Sequence, residues 1–348
     1  MNLLKIRHQN LKKNEKFNTN IMEKNLYIDA SHPDETRVVL KENGNIEDYE
    51  YEGIKNTLIK NNIYLGKVSR IEPSLQAAFV DFGRERHGFL SFNDIQSDYY
   101  QIPSSDLEKI KAEEKQVREE LAKQSEKEES EIDNDKNDNE VVEKNSEVEN
   151  QNGRHFKQSK APSKRYKIQE VIKPNQVILV QVLKDERGLK GAALTTFISI
   201  AGKYIVLMPN TPKGGGISRK IFNSSDRQKI RDILNQIDIP KSMGVIVRTA
   251  GANKTKNEIE KDFNNTLKTW EEIKDKALDS NAPSLVYEEG DIIKRTLRDI
   301  YDNETKNIYI EGNEAYQKAK KFMKELMPKS VKNIKKYRGK IPLFHFAN

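Results

Sequence analysis

Short stretches in which hydrophobic and polar residues alternate dominate the first part of the chain and predict β-strands. Residues 25–40 contain two such stretches with proline and aspartate between them, which predicts strand, turn, strand. Residues 62–71, 76–83 and 84–92 follow as three short strands joined by tight turns. Short strands at this spacing are typical of a small barrel.

A long polar segment, residues 103–165, then interrupts the pattern. Its Glu, Lys, Asp, Asn and Ser residues bury too little apolar surface to offset chain entropy, so we expect disorder. Its first part, 106–123, places opposite charges at helical spacing and is compatible with a helix. Alternation resumes after it. We therefore predict one barrel, residues 58–102 and 166–199, split by a disordered charged insertion.

Strands and helices are predicted in turn after residue 200. In the clearest helix, hydrophobic residues recur three and four positions apart: Ile259, Phe263, Leu267, Trp270, Ile273 and Ala277. Residues 333–348 show no closing element. Hydrophobic runs fall short of the roughly 18 residues of a membrane helix. The basic tail, residues 1–21, is predicted to be disordered and lacks the apolar core of a signal peptide, so a cytoplasmic location is expected.

Charge is unevenly distributed along the chain. Residues 106–150 hold 17 acidic and 8 basic residues, a net of −9, which leaves +16 for the rest of a chain whose overall charge is +7. A folded part this basic indicates a polyanionic partner, RNA or DNA first, or a generally lysine-rich proteome. The chain has no cysteine, which excludes disulfides and thiolate zinc sites.

The predicted barrel carries aromatic residues among basic ones. Phe79, Phe82 and Phe89 fall on adjacent strands with lysine, arginine and histidine around them. Aromatic faces stack bases and cations follow phosphates, so this mixture suits single-stranded nucleic acid. The alternative is that the rings fill the barrel core, which we expect for Phe82, while the pattern leaves Phe79 and Phe89 open. The glycine-rich stretch 213–220 lacks the GK[ST] ending of a P-loop.

Several long motifs resemble the ribonuclease E/G family. They are NIYLGKVSRIEPSLQAAFVDFGRERHGFL, GLKGAALTTFISIAGKYIVLMPN, GGGISRKI and MGVIVRTAG, and the resemblance covers residues 22–102 and 166–346. The overall pattern is closer to ribonuclease E than to ribonuclease G.

The resemblance implies an α+β multidomain fold in which an OB-type S1 barrel is inserted in a split RNase H-like subdomain. Residues 22–57 would form the first RNase H-like part. Residues 200–295 would hold a 5′-sensor subdomain and the second RNase H-like part, and residues 296–348 the start of a DNase I-like subdomain.

The resemblance also implies two sets of RNA contacts. The family's RNA-guiding phenylalanines and lysine match Phe79, Phe89 and Lys190, and Arg219 matches an RNA contact in the glycine-rich loop. The match favours binding over core packing for Phe79 and Phe89. Gly88, beside Phe89, is expected to be structural, in a turn that needs a residue without a side chain.

The second set would bind the 5′-monophosphate of RNA. Arg248 and Thr249 match the family's phosphate-binding pair, and Gly202 and Val206 match its backbone contacts. A terminal phosphate has three acceptor oxygens that an arginine fork and a threonine hydroxyl suit well. The alternative is that Arg248 only caps the end of a strand beside an acidic neighbour.

The family cleaves RNA in mRNA decay and in rRNA and tRNA processing. Its two magnesium-binding aspartates and its zinc-binding CxxC pair would follow the IPLF motif at 341–344, so no catalytic residue is expected here and Mg²⁺ and Zn²⁺ are expected only for a full-length protein. Asp291, Asp299 and Asp302 are expected to serve as helix caps and surface residues.

Two functional hypotheses remain. The chain is a truncated ribonuclease E/G, inactive alone, or a non-catalytic S1-domain RNA-binding protein. In both, the partner is single-stranded RNA with a 5′-monophosphate and not DNA. We expect this chain to be a monomer. A homo-oligomer and a peripheral position at the inner membrane are expected only of the full-length form. The insertion is expected to be a spacer, with an autoinhibitory RNA mimic as the alternative.

Overall fold

The computed structural model describes residues 23–53, 58–113, 115–116, 166–188, 190–211, 216–240, 242–302 and 304–347. The basic tail and nearly all of the charged insertion lie outside the described residues, although residues 104–113 are helical. The chain divides into two compact units. Unit 1 comprises Met1–Thr57 and Gly290–Asn348, and unit 2 comprises Leu58–Glu289.

The strands are β1 (Lys24–Asp29), β2 (Glu35–Glu42), β3 (Asn45–Gly53), β4 (Ile63–Glu72), β5 (Ala77–Asp81), β6 (Gly88–Ser91), β7 (Val177–Lys184), β8 (Ala193–Thr195), β9 (Ile200–Ala201), β10 (Ile205–Met208), β11 (Gly216–Ile217), β12 (Gly244–Val247), β13 (Ser284–Tyr287), β14 (Thr305–Glu311) and β15 (Ile334–Lys336). The helices are α1 (Ile168–Val171), α2 (Ser224–Asn235), α3 (Lys256–Asp279), α4 (Ile292–Asp299), α5 (Asn313–Leu326) and α6 (Leu343–Ala347).

Unit 1 is a five-stranded sheet in the order β15-β14-β1-β2-β3. Strands β1 to β3 form an antiparallel meander, and β14 and β15 run parallel to β1. The alternate hydrophobic residues of β1 and β14 form its core with residues of α4 and α5: Leu26, Ile28, Ile308, Ile310, Leu297, Ala319 and Met323. The expectation that residues 333–348 hold no closing element is wrong, because β15 and α6 lie there.

Unit 2 contains a closed barrel. Strands β4, β5, β6, β8 and β7 pair in that order, and β7 pairs back onto β4 to close it. Strand β13 adds to the other side of β4. The barrel draws strands from both sides of the charged insertion because the alternate apolar residues of β4 and β7 need the same core, which includes Val68, Val80 and Val180. The predicted OB-type barrel is confirmed.

The remainder of unit 2 is a four-stranded sheet, β11-β12-β10-β9, packed with α2 and α3. The hydrophobic face expected of α3 buries Ile259 and Phe263 against β10 and β12 residues. Helix α2 begins at its N-cap Asn223, whose side chain accepts from the Ser225 amide at 3.1 Å. Within the described part of the chain, no helix has both the length and the apolar character needed to span a bilayer.

Candidate nucleic-acid interface

Phe79 and Phe89 lie side by side on the outside of the barrel. Strands β5 and β6 pair them directly in register, and their rings meet edge to face with centroids 6.1 Å apart. The guanidinium of Arg70, on β4, lies over the Phe79 ring at 4.4 Å from its centroid. Phe89 stays 36% exposed. Together these groups form an open cation–aromatic surface.

Lys190 lies in the loop that precedes β8, and that loop borders the aromatic pair. The Phe89 amide donates to the Ala192 carbonyl at 2.8 Å. The Arg86 guanidinium donates to the Gly188 carbonyl and so links the two loops. The loop that carries the exposed Lys190 therefore lies next to the start of β6, the strand that carries Phe89. We call Arg70, Phe79, Phe89 and Lys190 the barrel surface.

Four cations on and around the barrel surface lack an acidic partner in the part of the chain that the structure describes. Lys67, Arg70, Arg84 and Lys190 are exposed, and none forms an ion pair with a carboxylate of the described residues. Phe82, in contrast, is 1% exposed and packs edge to face against Tyr64 inside the barrel, as expected of a core residue.

Glycine is needed at position 88 for close packing between strands and not for the expected turn. It lies in β6 rather than in a turn, and a β-carbon there would collide with the side chain of Leu194 on β8. The turns before β6 and β8 instead use Gly83 at φ 87° and Gly188 at φ 58°, the left-handed region that glycine tolerates.

Arg248 follows β12 and is held by the loop between β9 and β10. Its backbone amide donates to the Tyr204 carbonyl at 2.7 Å, and its Nη1 donates to the Gly202 carbonyl at 2.8 Å. Thr249 comes next and is exposed at the start of a 3₁₀ turn, Thr249–Gly251. Gly202, Arg248 and Thr249, three of the residues expected to bind a terminal phosphate, thus lie together where the loop before β10 meets the end of β12. We call Gly202, Val206, Arg248 and Thr249 the Arg248 site.

Val206 and Arg219 lie in or next to the two strands of the four-stranded sheet that pair with β12 on either side. Val206 is in β10, opposite Ile246 of β12. Arg219 is exposed, in the turn after β11, and the amide of the preceding Ser218 donates to the Val247 carbonyl at 2.8 Å. Both positions border the chain segment that carries Arg248.

A buried carboxylate lies behind the Arg248 site. Asp262 of α3 is 6% exposed and accepts hydrogen bonds from the amides of residues 203, 204 and 205. Burial raises the pKa of Asp262, and the three amides and the charge of Arg248 act in the opposite direction without cancelling that rise.

The other aspartates singled out in the sequence have structural roles. Asp291 is the N-cap of α4 and accepts from the Lys294 amide, and Asp302 pairs with Lys24 at 2.8 Å. Asp299 pairs with Arg298 at 2.7 Å. Over the described ranges, no group of three or more His, Cys, Asp or Glu residues could hold a metal ion.

Comparison with known proteins supports the resemblance of the sequence motifs to the ribonuclease E/G family. Residues 199–348 match the ribonuclease E/G family. Ribonuclease E of Haemophilus influenzae is 35% identical over 321 residues, 92% of this chain and 28% of that protein. A putative ribonuclease E of Buchnera aphidicola subsp. Baizongia pistaciae is 33% identical over 92% of this chain and 65% of that protein. The chain belongs to the ribonuclease E/G family.

Similarity to ribonuclease G is lower. Ribonuclease G of Escherichia coli is 26% identical over 312 residues, 90% of this chain and 53% of that protein. The chain spans about a quarter of the length of the Haemophilus ribonuclease E and about half that of the Escherichia coli ribonuclease G.

Two features of these surfaces were not predicted from the sequence. Arg70 was one of several cations near the barrel, and only the pairing of β4 with β5 places it over Phe79. Asp262 occupies a position in α3 next to the apolar Phe263, and nothing in the helical pattern indicates that three backbone amides surround its carboxylate.

Proposed function

We propose that this chain binds single-stranded RNA on the barrel surface and recognises its 5′-monophosphate at the Arg248 site. The observation that carries the proposal is the fixed position of Arg248, whose amide and guanidinium both hold the loop of residues 202–204. Family membership supplies the expectation that the polyanion is RNA.

The barrel surface supports the RNA half of the proposal. An edge-to-face aromatic pair with an arginine over one ring offers faces on which bases stack, each worth roughly 1–3 kcal/mol. The exposed cations around it, Lys67, Arg84 and Lys190, match the negative charge of the phosphate backbone. This combination tolerates different sequences, because every base has a flat face.

The chemistry of the Arg248 site supports the proposed recognition of the 5′-monophosphate. A guanidinium is always charged and offers several donors in a planar fork, so it suits the oxygens of a terminal phosphate. Its hydrogen bond to Gly202 limits its rotation, which lowers the entropy lost on binding. The Thr249 hydroxyl is exposed beside it as a further donor.

We also propose that RNA cleavage, in mRNA decay and in rRNA and tRNA processing, belongs to the complete protein. Asp291, Asp299 and Asp302 do not suit a magnesium site, because Asp291 caps a helix and Asp299 and Asp302 pair with cations. A thiolate zinc site is excluded by the absence of cysteine. For this chain we propose RNase H-like parts within residues 22–57 and 200–295, a 5′-sensor within residues 200–295, the start of a DNase I-like subdomain in residues 296–348, and a monomeric state. Oligomer formation and a peripheral membrane position are proposed only for the full-length form.

Replacing Arg248 with alanine tests the proposal. We expect the preference for 5′-monophosphate over 5′-hydroxyl RNA of the same sequence to fall roughly tenfold or more, the effect of losing a hydrogen bond to a charged group. Dissociation constants from fluorescence anisotropy give the ratio. Lys268→Ala, which removes an exposed positive charge from α3, is the control and should leave the ratio unchanged. An unchanged ratio in Arg248→Ala would refute the assignment.

A further inference from the structure

We propose that Asp262 is the positioning residue of the Arg248 site: its carboxylate fixes the backbone of residues 202–205, which in turn fixes the Arg248 guanidinium. The inference rests on the proposed function of that site and adds to it a residue that would set how well a 5′-phosphate is distinguished, without touching the phosphate.

Three backbone amides converge on the Asp262 carboxylate. Oδ1 accepts from Lys203 at 3.1 Å, and Oδ2 accepts from Tyr204 at 2.7 Å and Ile205 at 3.1 Å. Hydrogen bonds from amides to a buried ionised carboxylate are among the stronger ones in proteins. The path of the loop is therefore determined by a side chain 57 to 59 residues away in the sequence.

The same loop holds Arg248 through its carbonyls. The Gly202 carbonyl accepts from Nη1 and the Tyr204 carbonyl accepts from the Arg248 amide. At Tyr204, one peptide group binds Asp262 through the amide and the next binds Arg248 through the carbonyl. A shift of the loop away from Asp262 would therefore move both acceptors on which Arg248 depends.

Gly202 provides an independent observation. A β-carbon built on Gly202 would lie 2.5 Å from Oδ2 of Asp262 and 2.9 Å from its carboxyl carbon. Glycine is required here by the close approach of the carboxylate, since the φ of Gly202 is not in the left-handed region. Gly202 and Asp262 are thus sterically matched, and a side chain at 202 would displace the carboxylate.

The helix has other residues that anchor it to the sheet. Ile259 and Phe263 pack into the apolar core of the four-stranded sheet, and the hydroxyl of buried Thr266 donates to carbonyls of α3 itself. Among the buried residues described in α3, Asp262 is the one whose side chain binds the loop. Its loss should therefore alter the loop more than it alters helix packing.

Asp262→Asn in the full 348-residue chain tests the inference. The amide keeps the shape but turns one acceptor into a donor that faces backbone N–H groups. We expect the affinity ratio between 5′-monophosphate and 5′-hydroxyl RNA to fall roughly tenfold. Affinity for 5′-hydroxyl RNA, which depends on the barrel surface, should stay within about twofold. Thr266→Ala, a buried polar deletion one turn along α3, should change neither affinity.

Gly202→Ala provides a second variant that keeps the carboxylate and should reproduce the loss by displacing it. An unchanged ratio in Asp262→Asn and Gly202→Ala, with a reduced ratio in Arg248→Ala, would overturn the positioning role and leave the proposed function standing. An unchanged ratio in Arg248→Ala as well would overturn both.

A third measurement needs no variant. In the unmodified chain, hydrogen exchange at the amides of Lys203, Tyr204 and Ile205 should slow when 5′-monophosphate RNA binds, because Arg248 then locks the loop from its other side. RNA with a 5′-hydroxyl should leave their exchange unchanged. Equal protection by both RNAs would contradict the inference even where a variant fails to fold.

Discussion

At the scale of single residues, the barrel surface depends on how each aromatic ring is flanked. Arg70 covers one face of Phe79, and Phe89 meets the same ring edge to face, so the two phenylalanines are held in defined positions without a bound ligand. A cation over an aromatic ring is worth about 0.5–1 kcal/mol at exposed sites. Such preorganisation lowers the ordering cost of binding.

Phe79→Ala should weaken binding of single-stranded RNA roughly 5- to 150-fold, the loss of one stacked base at about 1–3 kcal/mol. Fluorescence anisotropy with 5′-hydroxyl RNA isolates this effect from recognition of the 5′ end. Tyr49→Ala, which removes a 55% exposed ring from β3 in unit 1, is the matched control and should have no effect. Equal affinities of Phe79→Ala and the unmodified chain would exclude Phe79 from the binding surface.

At the scale of secondary-structure elements, an ion pair ties the start of β1 to the turn before β14. Lys24 lies 2.8 Å from Asp302, which also accepts from the amide and hydroxyl of Thr305. Burial by itself would raise the pKa of Asp302, but the hydrogen bonds from Lys24 and Thr305 outweigh it and hold that pKa below its usual range. The same hydrogen bond raises the pKa of Lys24.

This ion pair should make the folding stability of unit 1 decrease at acidic pH. Folding lowers the pKa of Asp302. Its contribution to the stability of the fold is therefore fully present above the unfolded pKa of about 4, and it is lost as pH falls through the folded pKa. Asp302→Asn should cost at most about 1 kcal/mol at pH 7, since the carboxylate is partly exposed.

Amide exchange at Ile308 and Ile310 measures the local stability that this pair affects. The difference in local stability between Asp302→Asn and the unmodified chain should become smaller below about pH 4. Glu325→Gln, an exposed carboxylate of α5, should show no such trend. A difference that stays constant from pH 7 to about pH 3 would disprove the linkage.

At the scale of the whole molecule, acidic charge is concentrated in residues 106–150 and the rest of the chain is basic. Residues 106–150 carry −9 and the rest of the chain +16. Attraction between such segments is screened over about 8 Å at physiological ionic strength. The insertion interpreted as a spacer should therefore compete little with RNA for the barrel surface.

Exchanging residues 117–150 for a Gly/Ser linker of equal length distinguishes the spacer from the RNA mimic. A spacer predicts that RNA affinity at about 0.15 M salt changes less than twofold, because the acidic segment is screened from the barrel. A linker of the same length that carries the native charges in scrambled order serves as control. A large gain in affinity that disappears at high salt would instead support autoinhibition.

Predictability from the sequence differed among elements for a physical reason. Helix α3 and strand β4 were predicted because one face of each is buried, and burial of one face imposes a periodic hydrophobic pattern. Strand β3 was missed because eight of its nine residues are exposed or half-buried, so no such pattern arises.

The sequence by itself determined the family, through long contiguous motifs, and the core role of Phe82, through its position in an alternating strand. Only the tertiary structure placed Arg70 over Phe79 and gave Arg248 its contact with Gly202, 46 residues away. Periodicity reports which face of an element is buried, but it carries no information about which distant polar group lies opposite. The Asp262 carboxylate beneath residues 203–205 is such a group, and it came from the fold alone.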